Sequence, residues 1–115
     1  LVSTNNGTAW QTLYNPGHVT VWIEPDPTNA NRLYASIVHS NFGGIYVSTN
    51  IQNGGASTWT KMPAPPRSQG HPFNVRVLND GTVVCSFSGR RNGSGAFTAS
   101  SGVFLCTNPA AVTPA

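Results

Sequence analysis

Short runs of alternating apolar and polar residues, each bounded by turn-formers, divide the chain into strands. His18-Val19-Thr20-Val21-Trp22-Ile23 alternates with period two. It predicts a strand with Val19, Val21 and Ile23 on one face and Thr20, Trp22 and Glu24 on the other. Tyr14-Asn15-Pro16-Gly17 before it reads as a turn. Residues 25–31 hold two prolines and several turn-formers and are expected to form a loop outside any ladder. Residues 32–38, 44–49 and 58–62 read as the second, third and outer strands. Residues 63–70 are linker by composition. Residues 73–77, 82–88 and 102–107 give three more strands, the first two joined by an Asn79-Asp80-Gly81 hairpin turn. Residues 89–101, rich in Gly, Ser, Asn and Arg, read as a long loop.

One of these runs recurs. Gly44-Ile45-Tyr46-Val47-Ser48-Thr49-Asn50 returns as Gly102-Val103-Phe104-Leu105-Cys106-Thr107-Asn108, and its last five positions open the chain as Leu1-Val2-Ser3-Thr4-Asn5. The steps are 45 residues from Ser3 to Ser48 and 58 from Ser48 to Cys106; self-similarity at this spacing marks a repeat architecture, and about 40–50 residues is the range of a four-stranded propeller blade. The fold class predicted is all-β, with consecutive four-stranded blades. Residues 1–14 are the end of a preceding blade, 15–66 one complete blade, and 67–115 the first three strands of the next. About two and a quarter blades fall short of a ring, so the chain is expected to be a piece of a longer or processed protein.

The first copy continues as Ser3-Thr4-Asn5-Asn6-Gly7-Thr8-Ala9-Trp10, which resembles the Asp-box (S-x-D-x-G-x-T-W) of sialidases, sortilin-like receptors and xyloglucan-hydrolysing propeller enzymes. The run Asp26-Pro27-Thr28-Asn29-Ala30-Asn31-Arg32-Leu33-Tyr34-Ala35 is similar to a D-P-x-N-P-N-x-[LV]-Y-A run in xyloglucanase-type and sortilin-like blades, with Ala30 in place of the second proline. The resemblance implies that Ser3, Asn5, Gly7 and Trp10, then Ser48, Asn50 and Trp59, and finally Asn108, mark structural box turns. In the family an Asp closes the turn, Gly supplies an otherwise closed backbone conformation, and Trp packs between layers. Here all three carboxylate positions are Asn, whose oxygen can still close an Asx-type turn. The second box is stretched, with Trp59 further from Asn50 than Trp10 is from Asn5. Trp10 and Trp59 are accordingly expected in the core and not as sugar platforms.

Composition adds a compartment. Only 8% of residues are charged, and 12 Gly and 9 Pro suit short strands joined by turns. The net charge of +3 comes from scattered residues, without the clustered Lys/Arg of a nucleic-acid face. No run approaches the apolar length of a membrane helix. The chain reads as secreted and extracellular. The repeat places Cys85 and Cys106 on neighbouring strands, so a cross-strand disulfide is expected, with two buried free thiols as the alternative. Asn6-Gly7-Thr8 and Asn92-Gly93-Ser94 fit the N-glycosylation sequon, at Asn6 and Asn92.

Candidate chemistry is sparse. Glycoside hydrolysis commonly needs two placed acids, and this chain has only Glu24, Asp26 and Asp80. Asp26 and Asp80 sit in turn sequences. Glu24 ends the first strand on the face of Trp22, an aromatic-acid pair that suits a sugar, with an exposed strand end as the plainer reading. His18, His39 and His71 lack metal-set spacing, and no catalytic metal, cofactor or Ser-His-Asp set is expected. Arg67, Arg76, Arg90 and Arg91 could meet an acidic partner, with solvated positions and linker contacts as the simpler reading. The expected partners are remaining blades of the same protein or copies of the chain, together with carbohydrate. The expected function is a non-catalytic scaffold section that binds glycan. The alternatives are part of a glycoside hydrolase whose acids lie outside this chain, and an extracellular structural protein in which copies complete each other's blades.

Overall fold

The computed structural model describes residues 1–89, 94–96 and 98–109. It is all-β: two antiparallel sheets, one of four strands in the order β1-β2-β3-β4 and one of three in the order β5-β6-β7. The first comprises β1 (Val19–Asp26), β2 (Asn29–Val38), β3 (Gly44–Ser48) and β4 (Thr60–Lys61). The second comprises β5 (Pro72–Val77), β6 (Val83–Phe87) and β7 (Gly102–Cys106). The seven strands overlap the expected runs, although the outer strand expected over 58–62 forms only at Thr60–Lys61, and each sheet runs in sequence order.

Three details depart from the expected pattern. The β1–β2 ladder continues through Pro25↔Leu33 to Asp26↔Asn29 and leaves only Pro27 and Thr28 as the turn, so residues 25–31 are not all loop. β1 is an edge strand, where a missing N–H costs no ladder bond. A bulge between Thr20 and Trp22 also breaks the alternation of β1. Val19 and Trp22 pair with Val38 and Ser36, whereas Thr20 and Ile23 pair with Ile37 and Ala35 and lie on the opposite face. Val19, Val21 and Ile23 therefore do not share a face. Finally, the stretched second box is filled by a short 3-10 segment, Ile51–Ala56.

The core lies between the sheets. In the first sheet the register puts Tyr34, Ile45 and Val47 on one face, and that face meets Val75, Val77, Val83, Cys85 and Phe87 of the second. Phe104 and Cys106 pack at its margin. The opposite face of the first sheet, with Ala35, Ile37, Tyr46 and Ser48, is covered in part by the chain's first residues, since Tyr14 stacks on Trp59 at 4.4 Å between centroids and tilts against Tyr46. On the outer face of the second sheet Val103 is 75% and Leu105 60% exposed, with no cover among the described residues.

The β5–β6 hairpin shows how local sequence sets register. Gly81 adopts φ +84, its N–H donates to the Leu78 carbonyl at 2.9 Å, and the Leu78 N–H donates to the Thr82 carbonyl at 2.9 Å. Asp80 Oδ1 accepts the Thr82 N–H at 2.9 Å. This is a three-residue loop with Gly in the left-handed position.

Candidate functional site

The Ser and Asn of each box build the same hydrogen-bonded turn. Ser3 Oγ donates to Asn5 Oδ1 at 2.9 Å, and Asn5 Oδ1 accepts the Ala9 N–H at 2.8 Å. Ser48 Oγ donates to Asn50 Oδ1 at 3.0 Å, and Asn50 Oδ1 accepts the Thr58 N–H at 2.9 Å. Both accepted N–H groups belong to the residue before the box tryptophan, although the second loop is longer. The Asn side chain thus supplies the acceptor expected of the motif, and the insertion bulges out as Ile51–Ala56. Asn6 and Gly7 both take positive φ in the first turn, and Gly7 N–H donates to Ser3 Oγ at 2.8 Å. At Asn108 the serine is replaced by Cys106, and no equivalent bond is seen among the described residues.

The two box tryptophans differ. Trp59 is half-buried against Tyr14, but Trp10 is 62% exposed, contrary to the expectation of a core residue. The Trp10 segment makes just one strand pairing among the described residues, the isolated bridge Val2↔Gln11, so no sheet lies behind its indole.

Trp22 and Glu24 come together as the sequence suggests, and Arg76 joins them from the second sheet. The Trp22 Nε1–H points to Glu24 Oε2 at 3.4 Å. Arg76 Nη1 donates to Glu24 Oε1 and Oε2 at 3.2 and 3.1 Å, and its guanidinium carbon lies 4.9 Å from the Trp22 ring centroid. Glu24 and Trp22 stand on the first strand of one sheet, and Arg76 on the first strand of the next. Val75 and Val77 point into the core, which leaves Arg76 on the other side of β5; because β5 is an edge strand, its long side chain can return to Glu24. The sequence left Arg76 between an acidic partner and solvent, with solvent as the simpler reading, and did not name Glu24 as the partner. The signal it carried was the Asn74/Arg76 polar alternation on a first strand, the same kind of position as Trp22 and Glu24. Beside them, residues Thr20 to Ile23 line an open depression of about 370 Å³.

The other two carboxylates are held in turns. Asp26 is buried and accepts the Thr28 N–H at 2.8 Å, the Thr28 hydroxyl at 2.7 Å and Arg32 Nη1 at 3.1 Å. Burial alone would raise its pKa, but the Thr28 bonds and the Arg32 guanidinium outweigh that and hold the carboxyl below its ordinary value. Asp80 is also lowered, first by its bonds from Thr82.

His18 and His39, read as isolated in sequence, lie tilted with ring centroids 4.1 Å apart, and each stacks on Phe42. His39 Nδ1 accepts the Asn41 and Phe42 N–H groups at 3.0 and 3.1 Å, which leaves its proton on Nε2. No group of three or more metal-ligating side chains forms among the described residues.

The expected Cys85–Cys106 disulfide is absent; both residues are free thiols. Cys85 pairs with Phe104, and Cys106 with Val83, so the cysteines are diagonal and not opposite. Diagonal Cα atoms in a ladder stand about 7–8 Å apart, beyond the usual span of a bridge. Burial, then the neighbouring Cys106, pushes the Cys85 thiol up to about 11. Of the two sequons, Asn6 is exposed on its turn, and Asn92 lies outside the described residues.

No protein-family model, curated protein or solved structure matches this chain.

Proposed function

We propose that the chain forms consecutive blades of an Asp-box β-propeller in a secreted protein, and that it is a non-catalytic scaffold section with a carbohydrate-binding patch at Trp22, Glu24 and Arg76. The blade reading is supported by two stacked meander sheets, a repeated box turn and matching registers: Val47 pairs with Thr60, and Val2 with Gln11, at equivalent positions.

The observation that carries the binding reading is the Trp22–Glu24–Arg76 cluster. It offers an indole for stacking, a carboxylate to accept hydroxyl protons and guanidinium N–H groups to donate, all at the first strands of adjacent sheets. Glu24 is neutralised by Arg76, Asp26 is locked by Arg32, and Asp80 closes a hairpin. That use of all three carboxylates favours binding over acid-base hydrolysis.

The test is calorimetric titration of the chain with xyloglucan oligosaccharides and with cellohexaose, beside a Trp22→Ala variant. Saturable binding that the variant loses by about tenfold or more supports the patch. Heat that is unchanged by Trp22→Ala, or no binding to either sugar, removes it. Release of new reducing ends would favour the hydrolase alternative instead.

A further inference from the structure

We infer that Cys85 and Cys106 form a two-thiolate site for one soft metal ion of the Cu(I) class, set between the two sheets. The inference goes beyond the blade reading and is independent of the Trp22–Glu24–Arg76 patch. The register of β6 against β7 carries it. Cys85 pairs with Phe104, and Val83 with Cys106, so the two cysteines project from the same face as diagonal neighbours. That face is turned to the first sheet. Val83, Cys85 and Phe87 are buried in the core with Tyr34, Ile45 and Met62, and Cys106 packs against them. The thiols belong to this inner face whatever covers the edge or the outer face of the sheet.

The spacing that excludes a disulfide suits an ion. A disulfide draws its sulfurs to about 2.05 Å, which diagonal Cα atoms about 7–8 Å apart do not allow unless a strand moves. An ion between two thiolates, with bonds of about 2.3 Å as in zinc sites, leaves the sulfurs up to about 4.6 Å apart. Side chains that lean toward each other across the diagonal meet that distance with the ladder intact. The two thiols already feel each other: after burial, Cys106 is what pushes the Cys85 thiol up.

The surroundings choose the ion. Both cysteines line one cavity of about 380 Å³, whose other walls include Ile45, Met62, Val83 and Phe104. No third His, Cys, Asp or Glu joins the pair among the described residues. Zinc is thereby left short of its four ligands, and hard cations lack oxygens. Sulfur donors in soft, apolar surroundings select Cu(I). Tyr34 points the same way. It is fully buried, and its hydroxyl has no hydrogen-bond partner among the described residues. Burial raises its pKa, Arg32 opposes that, and Asp26 and Cys106 add to the rise, so Cys106 lies within electrostatic reach of the hydroxyl. A neutral thiol is a weak acceptor, whereas a metal-bound thiolate gives the Tyr34 O–H a partner of the kind that supports metal ligands. On binding, the two S–H bonds break, two S–Cu bonds form, both protons pass to solvent and no electron moves.

The experiment is anaerobic titration of the full, reduced chain with Cu(I) in competition with a chromophoric Cu(I) chelator. It compares wild type, Cys85→Ser, Cys106→Ser and Tyr34→Phe, with far-UV circular dichroism as the check on fold. Wild type should take one ion per chain, release one proton from each thiol, and show a thiolate-to-copper ultraviolet band. Each serine variant should lose more than about 100-fold in affinity, and Tyr34→Phe about tenfold. If Cys85→Ser fails to fold, the half-buried Cys106→Ser and the proton count on wild type decide the matter. An ion bound separately by each sulfur overturns the inference, as does a loss confined to one cysteine. So does a folded wild type that yields all its copper to the chelator, or binding that appears only as the β structure is lost.

Discussion

Arg76 joins the two sheets by binding both oxygens of Glu24, 52 residues away in sequence. The pair is asymmetric: the Glu24 side chain is 12% exposed and that of Arg76 58%. Solvent on the arginine side screens the attraction, so the contact is worth less than its geometry implies. A double-mutant cycle of Glu24→Gln and Arg76→Ala, read by urea unfolding, should give a coupling of about 0.5–1 kcal/mol. The coupling should shrink in molar salt. A value indistinguishable from zero at low salt would mean that the sheets are joined by the apolar core alone.

The repeated box turn makes a second prediction. Asn50 Oδ1 accepts from Ser48 Oγ and the Thr58 N–H, and Asn50 Nδ2 donates to Thr58 Oγ1 at 3.1 Å. Asn50→Ala removes the acceptor and leaves the Thr58 N–H without it, at a cost of about 1–2 kcal/mol. Asn50→Asp keeps the acceptor, and the Thr58 hydroxyl can rotate to donate, so the change should stay within about 0.5 kcal/mol. Thermal unfolding of both variants checks this. Equal losses would show that the turn depends on the amide N–H₂ and not on the oxygen.

Asp26 sets an acid limit. Its folded pKa is lowered, so the stability it contributes is complete above its ordinary value of 3.8 and is lost as pH falls through the lower folded value. Asp26→Asn should cost about 1–3 kcal/mol at neutral pH, because Arg32 then faces a neutral group in a buried turn. It should also flatten the acid branch of the stability–pH curve. An unchanged acid branch would place the titrating group elsewhere.

These residues show what the chain discloses before it folds. β5, β6 and β7 bury one face, so their apolar residues recur every second position, whereas β2 and β3 are buried on both faces and were legible as short apolar runs bounded by turn-formers. Alternation failed on β1, where the bulge between Thr20 and Trp22 inserts a residue that no pattern of side chains reveals. Pro25 misled in the same strand because a proline's cost depends on whether its side of the strand is paired, which is a property of the sheet. Trp22 and Glu24 were legible as neighbours two apart on one strand. Arg76 was not, since its approach depends on how the two sheets stack. Trp10 was misplaced because an indole is buried only when a second layer covers it.

Gly43 and Gly70 meet where the first sheet touches the linker. The His39 N–H donates to the Gly70 carbonyl at 2.9 Å, and the Gly43 N–H to the His39 carbonyl at 3.0 Å. A Cβ on Gly43 would run into both carbonyl oxygens, neither of which can withdraw without breaking its bond. Gly43→Ala should therefore destabilise by about 1–3 kcal/mol, in the range of overpacked sites. The exposed neighbour substitution Ser40→Ala should be nearly neutral. A tolerated Gly43→Ala would show that the linker moves freely over the sheet.

The cysteines provide the last prediction, on the alkaline side. Cys85 is buried, and its thiol is raised from the ordinary 9.0 to about 11, first by burial and then by Cys106. A raised folded value means that the protonated form is favoured in the native state. The stability this contributes is complete below the unfolded value and is lost as pH climbs from about 9 towards 11. The loss amounts to at most roughly 3 kcal/mol. Cys85→Ala should abolish that alkaline loss while adding a cavity cost at neutral pH. Thiol labelling at pH 8 gives an independent readout: Cys85 should react only in step with unfolding, because its thiolate is scarce and its side chain buried. Rapid native labelling of Cys85, or a mass two hydrogens higher after reduction, would contradict the pair of free thiols seen on β6 and β7.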